Sequence, residues 1–179
     1  NMLHDLGVGP NDVVSYLLPN VPRTHYTLWG AEAVGIANPI NPMLEPKAIM
    51  DICRAVKTKV LVALGEAPGS DIRDKIKAAR RELPDLEHVI YVSGEPCDEE
   101  GVLEFDGEIK KQRGDGLAFT RNIAARDIAS IYHTGGTTGR PKLARRTHYN
   151  EIIMAWILKK MVGFTSRSTL LCGLPLFHC

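Results

Sequence analysis

The sequence predicts an α/β fold in which a mainly parallel sheet is covered by helices. The first observation behind this is an alternation: short apolar runs at 13–20, 59–65 and 88–94 are separated by helix-like stretches at 21–36, 46–56 and 70–82. The second is punctuation, because proline and glycine stand at the joints between these stretches, where a chain changes its secondary structure. The third is composition: 44% of the 179 residues are hydrophobic and 24% charged, the balance of a globular protein with a sizeable core. Strands that alternate with helices connect through right-handed crossovers and give a parallel, helix-covered sheet.

Taken in order, 1–6 reads as the end of a helix. Met2, Leu3 and Leu6 fall at helical spacing and Gly7 suits the residue after the last turn. "VVSYLLPN" (13–20) is a buried strand closed by Pro-Asn, and 21–36 is a helix with Pro22 near its start and Gly35 near its end. "ANPINPMLEP" is expected to be a proline-punctuated connection. A helix at 46–56, a strand at 59–65, a helix at 70–82 and a strand at 88–94 repeat the pattern.

From Glu95 to about Arg113 the composition turns polar, with seven acidic residues between Glu95 and Glu108. A solvated surface excursion at 95–113 is expected there, with no chemistry of its own. Order returns at 128–132, a strand that runs into a glycine-rich loop, and "KLARRTH" is a second short extended segment. "NEIIMAWILKKMVGF" is a helix with an apolar stripe through Ile152, Ile153, Trp156 and Ile157, bounded by Lys160 and ended by Gly163. "STLLCGLPLFH" is expected to add one more buried strand and a proline turn.

Charge and cysteines limit the function classes. The net charge of +1 supplies no global field for nucleic acid or a membrane surface, so phosphate binding would have to come from a local arrangement. No apolar run is long enough to cross a bilayer as a helix. Cys53, Cys97, Cys172 and Cys179 include no Cys-x-x-Cys pair, which fits neither a zinc site nor a disulfide scaffold and makes a reducing, cytoplasmic setting the expectation. His4, His25 and His88 show no metal-ligand spacing, and no metal site is expected. The abrupt ends, without an initiating methionine or a polar tail, are expected of a piece of a longer protein.

The chemistry concentrates at 133–148, "HTGGTTGRPKLARRTH". A Walker loop needs Gly before its lysine and Ser or Thr after it, whereas Lys142 lies between Pro141 and Leu143; nor is there a Gly-x-Gly-x-x-Gly dinucleotide fingerprint. Gly135, Gly136 and Gly139 nevertheless allow backbone N–H groups to converge on an anion, Thr134, Thr137 and Thr138 add hydroxyl donors, and Arg140 and Lys142 add charge. Taken by its glycines alone, such a stretch fits an exposed turn equally well.

The order of its residues is more specific. "TGGTTGRPK" resembles the phosphate-binding signature Thr-Ser-Gly-Thr-Thr-Gly-x-Pro-Lys-Gly of the adenylate-forming superfamily, which includes acyl- and aryl-CoA synthetases, nonribosomal peptide synthetase adenylation domains and firefly luciferase. "RTHYN" is similar to the Thr-His-x-Asn that follows this loop, and "GLPLFH" (173–178) to the next motif. "LGVGPNDVVSYLLPN" and "GIANPINPMLEPKAIMDICRAVKTKVLV" resemble the early N-terminal region, so the likeness spans almost the whole chain. Gly135 stands where Ser is usual and Leu143 where Gly is usual.

The resemblance implies an incomplete N-terminal AMP-binding domain over 1–179, with the phosphate loop at 134–142 and the small C-terminal domain absent. It implies a reaction of a carboxylic acid with MgATP to give an acyl adenylate and pyrophosphate, followed by transfer to coenzyme A. Thr134, Gly135, Gly136, Thr137, Thr138, Gly139 and Lys142 would hold the β- and γ-phosphates, with Lys142 as the catalytic charge. A lone histidine beside a Pro-Leu-Phe turn is commonly structural, but the resemblance sets His178 near the reacting carboxylate. His133 and His148 flank the loop, where strand-end packing is the simpler role, and Arg145 and Arg146 are expected at the surface. Pro-Leu-Phe-His favours a CoA ligase; the alternatives are another adenylating enzyme, loading a carrier protein or acting like luciferase, and a noncatalytic nucleotide-binding α/β domain.

Overall fold

The computed structural model describes residues 1–93, 99–134 and 142–178. In chain order its elements are α1 (Met2–Asp5), β1 (Val13–Leu17), α2 (Pro22–Val34), β2 (Ile36–Pro39), α3 (Pro46–Val56), β3 (Thr58–Leu64) and α4 (Ile72–Arg80). They continue with β4 (His88–Val92), β5 (Val102–Glu104), α5 (Phe105–Lys110), β6 (Ile128–His133), β7 (Leu143–Thr147) and α6 (His148–Val162). Among the described residues the strands form one seven-stranded sheet in the order β5-β4-β3-β1-β2-β6-β7. Its pairings are parallel except for β6 with β7, an antiparallel hairpin. The predicted α/β architecture is therefore the observed one.

The central strands are mostly apolar because both faces are covered. Val60 and Val62 join Val14, Tyr16 and Ile90 under α1, α2 and α5, where Met2, Leu3, Ala31, Val34 and Phe105 pack. Leu61 and Ala63 point the other way, to Ile49, Ile52 and Cys53 of α3 and Ile72 and Ile76 of α4. The two-residue period of a strand thus divides one apolar run between two cores. Buried polar groups tie the middle strands: Ser15 Oγ donates to Asn38 Oδ1 at 2.9 Å, and Asn38 Nδ2 donates to the carbonyl of Ile131 at 2.6 Å.

Several expectations need correction. Residues 37–39, expected in a connection, join Ile36, expected at the end of the helical stretch, to form β2 between β1 and β6. Their prolines suggested a loop, yet Pro39 lies at the last position of the strand, and the Ile40 N–H just beyond it still donates to the Tyr16 carbonyl at 2.9 Å. The polar stretch is not merely a solvated excursion, for it contributes β5 and α5. Phe105 is only 2% exposed, and the carboxylate of Glu104 accepts the N–H groups of Asp106 and Gly107 as an N-terminal cap. Its acids also serve as anchors, Asp106 to Arg23 at 2.8 Å and Glu99 to Arg80 at 2.6 Å.

The final stretch differs in the opposite direction. No strand forms over 168–178, and Leu170, Leu171 and Leu174 are exposed. A strand needs a hydrogen-bonding neighbour, and none of the described strands offers this stretch one. Helix α6 is present and well bounded: Thr147 and Asn150 form a capping box, and Gly163 at φ 73° closes it. Its apolar residues, however, are largely exposed, with Ile152 at 70% and Trp156 at 54% exposure, and none of the helix's residues is buried.

Candidate phosphate and acyl site

Strand β1 lies between β2 and β3: the chain passes from β1 to β2 on one side, then from β2 back across β1 to β3 on the other. In open α/β sheets, the crevice beyond the carboxyl ends of strands at such a reversal is where ligands bind. Asn20 follows β1 at this end, Asn41 follows β2, and Thr134 follows β6, which runs parallel to β2.

The β6–β7 hairpin carries the glycine-rich loop. His133 pairs with Leu143, and beyond them the N–H of Thr134 donates to the carbonyl of Lys142 at 2.8 Å. Both ends of the predicted loop are thereby held together, with Lys142 exposed at the neck. Gly135, Gly136, Thr137, Thr138 and Gly139 lie outside the described residues.

The histidines divide. His133 is half-buried, and its Nε2 accepts the backbone N–H of Asn41 at 3.0 Å, which fixes its proton on Nδ1. Burial, and secondarily charge on His178, holds it below the ordinary imidazole range. The strand-end packing expected of His133 is thus observed, and His178 lies within its electrostatic reach. His178 itself is exposed at the end of a turn in which its N–H donates to the carbonyl of Pro175 at 3.0 Å. His148 sits in the first turn of α6, where burial and then Arg121 hold it below its usual range.

Asn20 was not singled out by sequence reasoning. Its Nδ2 donates to the carbonyl of Leu174 at 2.8 Å, and its Oδ1 accepts the N–H of Leu176 at 2.9 Å. A cavity of about 390 Å³ opens beside this contact, walled by the first turns of α2 and by Cys172 and Leu176. Asn41 was missed likewise. The signal for both was their position immediately after a strand, which cannot be used before the strands are ordered.

Behind the hairpin lies a second group that the sequence did not reveal. Glu32 of α2 and Glu151 of α6 approach one another, with Ser130 donating to Glu151 and Arg146 3.8 Å from it. Burial and then the charge of Glu151 push the Glu32 carboxyl up to about 8. Arg146 also lies over the Tyr132 ring, 5.1 Å from its centroid, so it faces inward and not toward the loop. Arg145 is exposed as expected. Among the described residues, no cluster of three or more His, Cys, Asp or Glu side chains could hold a metal ion.

The Thr134–Lys142 neck thus stands at the carboxyl end of β6, on the edge of an open α/β sheet where ligands commonly bind. The family model described as AMP-binding enzyme matches residues 1–179. The chain belongs to the AMP-binding enzyme family. It is 36% identical over 184 residues to a marinolic acid–CoA ligase from Pseudoalteromonas sp. (strain SANK 73390), an alignment covering 99% of this chain and 28% of that protein. It is 30% identical over 179 residues to a crotonobetaine/carnitine–CoA ligase of Salmonella arizonae (strain ATCC BAA-731 / CDC346-86 / RSK2980), covering 99% and 34%. Among solved structures it resembles the anthranilate CoA ligase AuaEII in complex with anthranoyl-AMP, with a TM-score of 0.76, 28% identity, and coverage of 87% of this chain and 29% of that one. The chain thus spans about a third or less of the length of these AMP-binding relatives.

Proposed function

We propose that this chain is part of the large N-terminal domain of an AMP-forming acid–CoA ligase and holds its phosphate loop. The observation that carries this reading is the Thr134–Lys142 neck, which brackets the motif TGGTTGRPK at the carboxyl end of β6. The relatives named as CoA ligases support the same class.

A carboxylate is a poor acylating agent because its carbonyl carbon is shielded by delocalised charge and oxide is a poor leaving group. In the first half-reaction a carboxylate oxygen forms a bond to the α-phosphorus of ATP while the bond from that phosphorus to the bridging oxygen breaks. Pyrophosphate leaves with the electron pair, and an acyl adenylate remains. In the second, the thiol of coenzyme A attacks the acyl carbon, loses its proton and expels AMP.

The chain's own part is to bind and orient. Thr134, Gly135, Gly136, Thr137, Thr138 and Gly139 would direct N–H and hydroxyl groups at the β- and γ-phosphates, and Lys142 would neutralise the charge that builds on departing pyrophosphate. Magnesium would accompany ATP on its phosphates, adding positive charge there. His178 would stand at the edge of the acyl site, beside the attacking carboxylate. The scattered cysteines, with Cys53 and Cys172 both free, support a reducing, cytoplasmic setting.

The test is acid-dependent exchange of labelled pyrophosphate into ATP by the full-length protein, followed by release of AMP. Exchange with CoA-dependent AMP release is the expected result. Exchange without CoA dependence would point to another adenylating enzyme, and no exchange to a noncatalytic nucleotide-binding domain.

A further inference from the structure

The turn "LLPN" that closes β1 has a second partner far along the chain. Asn20 offers its side-chain amide as a peptide would: Nδ2 donates to the Leu174 carbonyl at 2.8 Å, and Oδ1 accepts from the Leu176 N–H at 2.9 Å. These contacts span 154 and 156 residues. Among the described residues, both hydrogen bonds that tie 174–178 to the sheet region come from Asn20.

The mount is firm at its own end. The Val21 N–H donates to the Pro19 carbonyl at 2.8 Å, and the Thr24 hydroxyl donates to the same carbonyl, so the first turn of α2 braces the Asn20 backbone. At the other end, 168–178 forms no strand, and Leu176 and Phe177 are its half-buried residues within 174–178. The bond between the His178 N–H and the Pro175 carbonyl then carries the fixed position of Leu176 on to His178. His133, held by Asn41, lies within electrostatic reach of His178.

We infer that Asn20 is a positioning residue for the acyl site, holding the Pro175–His178 turn so that His178 faces the carboxylate substrate beside the phosphate loop. This deepens the CoA-ligase reading and rests on it. The phosphate loop hangs from a different hairpin, β6–β7, so the contribution of Asn20 is specific to the acid and does not extend to ATP.

The experiment compares the full-length protein with Asn20→Ala and Asn20→Asp variants in pyrophosphate exchange driven by butyrate, decanoate or 4-coumarate, with MgATP binding measured separately. Asn20→Ala should raise KM for the acid about tenfold, as expected from losing two hydrogen bonds, and leave the Kd for MgATP unchanged. Asn20→Asp keeps the acceptor for Leu176 but loses the donor to Leu174, and should recover part of the loss. In amide hydrogen exchange, Leu176 should lose protection in Asn20→Ala while the β6 amides keep theirs. An unchanged KM for the acid, or equal losses for acid and MgATP with β6 deprotected, would overturn the assignment while leaving the ligase reading intact. Failure of all three acids to drive exchange in the unaltered protein would overturn the ligase reading itself, and the role given to Asn20 with it.

Discussion

The backbone N–H of Thr134 and the carbonyl of Lys142, 2.8 Å apart, close the neck of the glycine-rich loop. This bond continues the β6–β7 ladder by one hydrogen bond, and it fixes where the lysine leaves the sheet. The position of Lys142 is therefore determined by β6 and β7, whatever the intervening glycines do.

If Lys142 neutralises departing pyrophosphate, Lys142→Ala in the full-length protein should lower acid-dependent pyrophosphate exchange by about 10²-fold or more. Thermal unfolding should be little changed, since the side chain is exposed. Lys142→Arg should recover only part, because a planar fork does not reproduce a compact ammonium charge. Wild-type exchange in Lys142→Ala would remove the proposed role.

Glu32 gives a pH dependence whose sign can be worked out. Its folded carboxyl is raised to about 8, above the ordinary carboxylate value, so the native state holds a proton that the unfolded state has already lost. Stability contributed by that protonated form is present at acid pH and lost as pH rises toward about 8. Unfolding midpoints in urea should fall between pH 5 and pH 8 in the unaltered protein and fall less in Glu32→Gln, which keeps the shape without the ionisation. Parallel pH profiles for the two proteins would contradict this.

Phe105 tests the part of the fold that polar composition concealed. It is 2% exposed and packs in the core shared by α1, α2 and α5. Phe105→Ala should cost about 3–5 kcal/mol of unfolding free energy by loss of burial and creation of a cavity. A change near zero in chemical denaturation would mean that the segment is the surface excursion its composition suggests.

Gly35 tests the close approach between the turn that precedes β1 and the start of β2. A Cβ added there would lie 2.5 Å from the carbonyl oxygen of Asp12 and 2.9 Å from that of Gly9, both backbone atoms that cannot swing aside. Gly35→Ala should therefore destabilise by about 1–3 kcal/mol, the usual cost of overpacking. Circular dichroism during thermal unfolding would show a lower midpoint; an unchanged one would mean that the turn before β1 can yield.

Thr147 tests the start of α6. Its hydroxyl accepts the Asn150 N–H at 3.2 Å, and its own N–H donates to Asn150 Oδ1 at 3.2 Å. Thr147→Ala should weaken the first turn by about 1 kcal/mol, visible as faster amide exchange at 148–151. Unchanged exchange would show that the hairpin alone holds that turn.

The helix at 46–56 and the strand at 88–92 were legible because their signals are local: apolar spacing on one side, proline or glycine at the ends. The family was legible for the same reason, as the motif TGGTTGRPK is carried in consecutive residues. Strand β2 was hidden because Pro39 reads as a loop residue, although the Ile40 N–H beyond it continues the pairing to β1. For β5 and α5, acids that look solvated in sequence turn out to cap a helix and pair with Arg23 and Arg80. The stretch 168–178 was over-read, since apolar residues favour a strand only where another strand is available to pair.

By itself, then, the sequence determined the α/β class, most of the helices and strands, and the family of the loop, because each depends on neighbours within a few residues. Only the tertiary structure decided that β1 lies between β2 and β3, that Asn20 reaches Leu174 and Leu176, and that Glu32 meets Glu151. These relationships join residues far apart in the chain, and their geometry follows from strand order and crossover, which local periodicity does not encode.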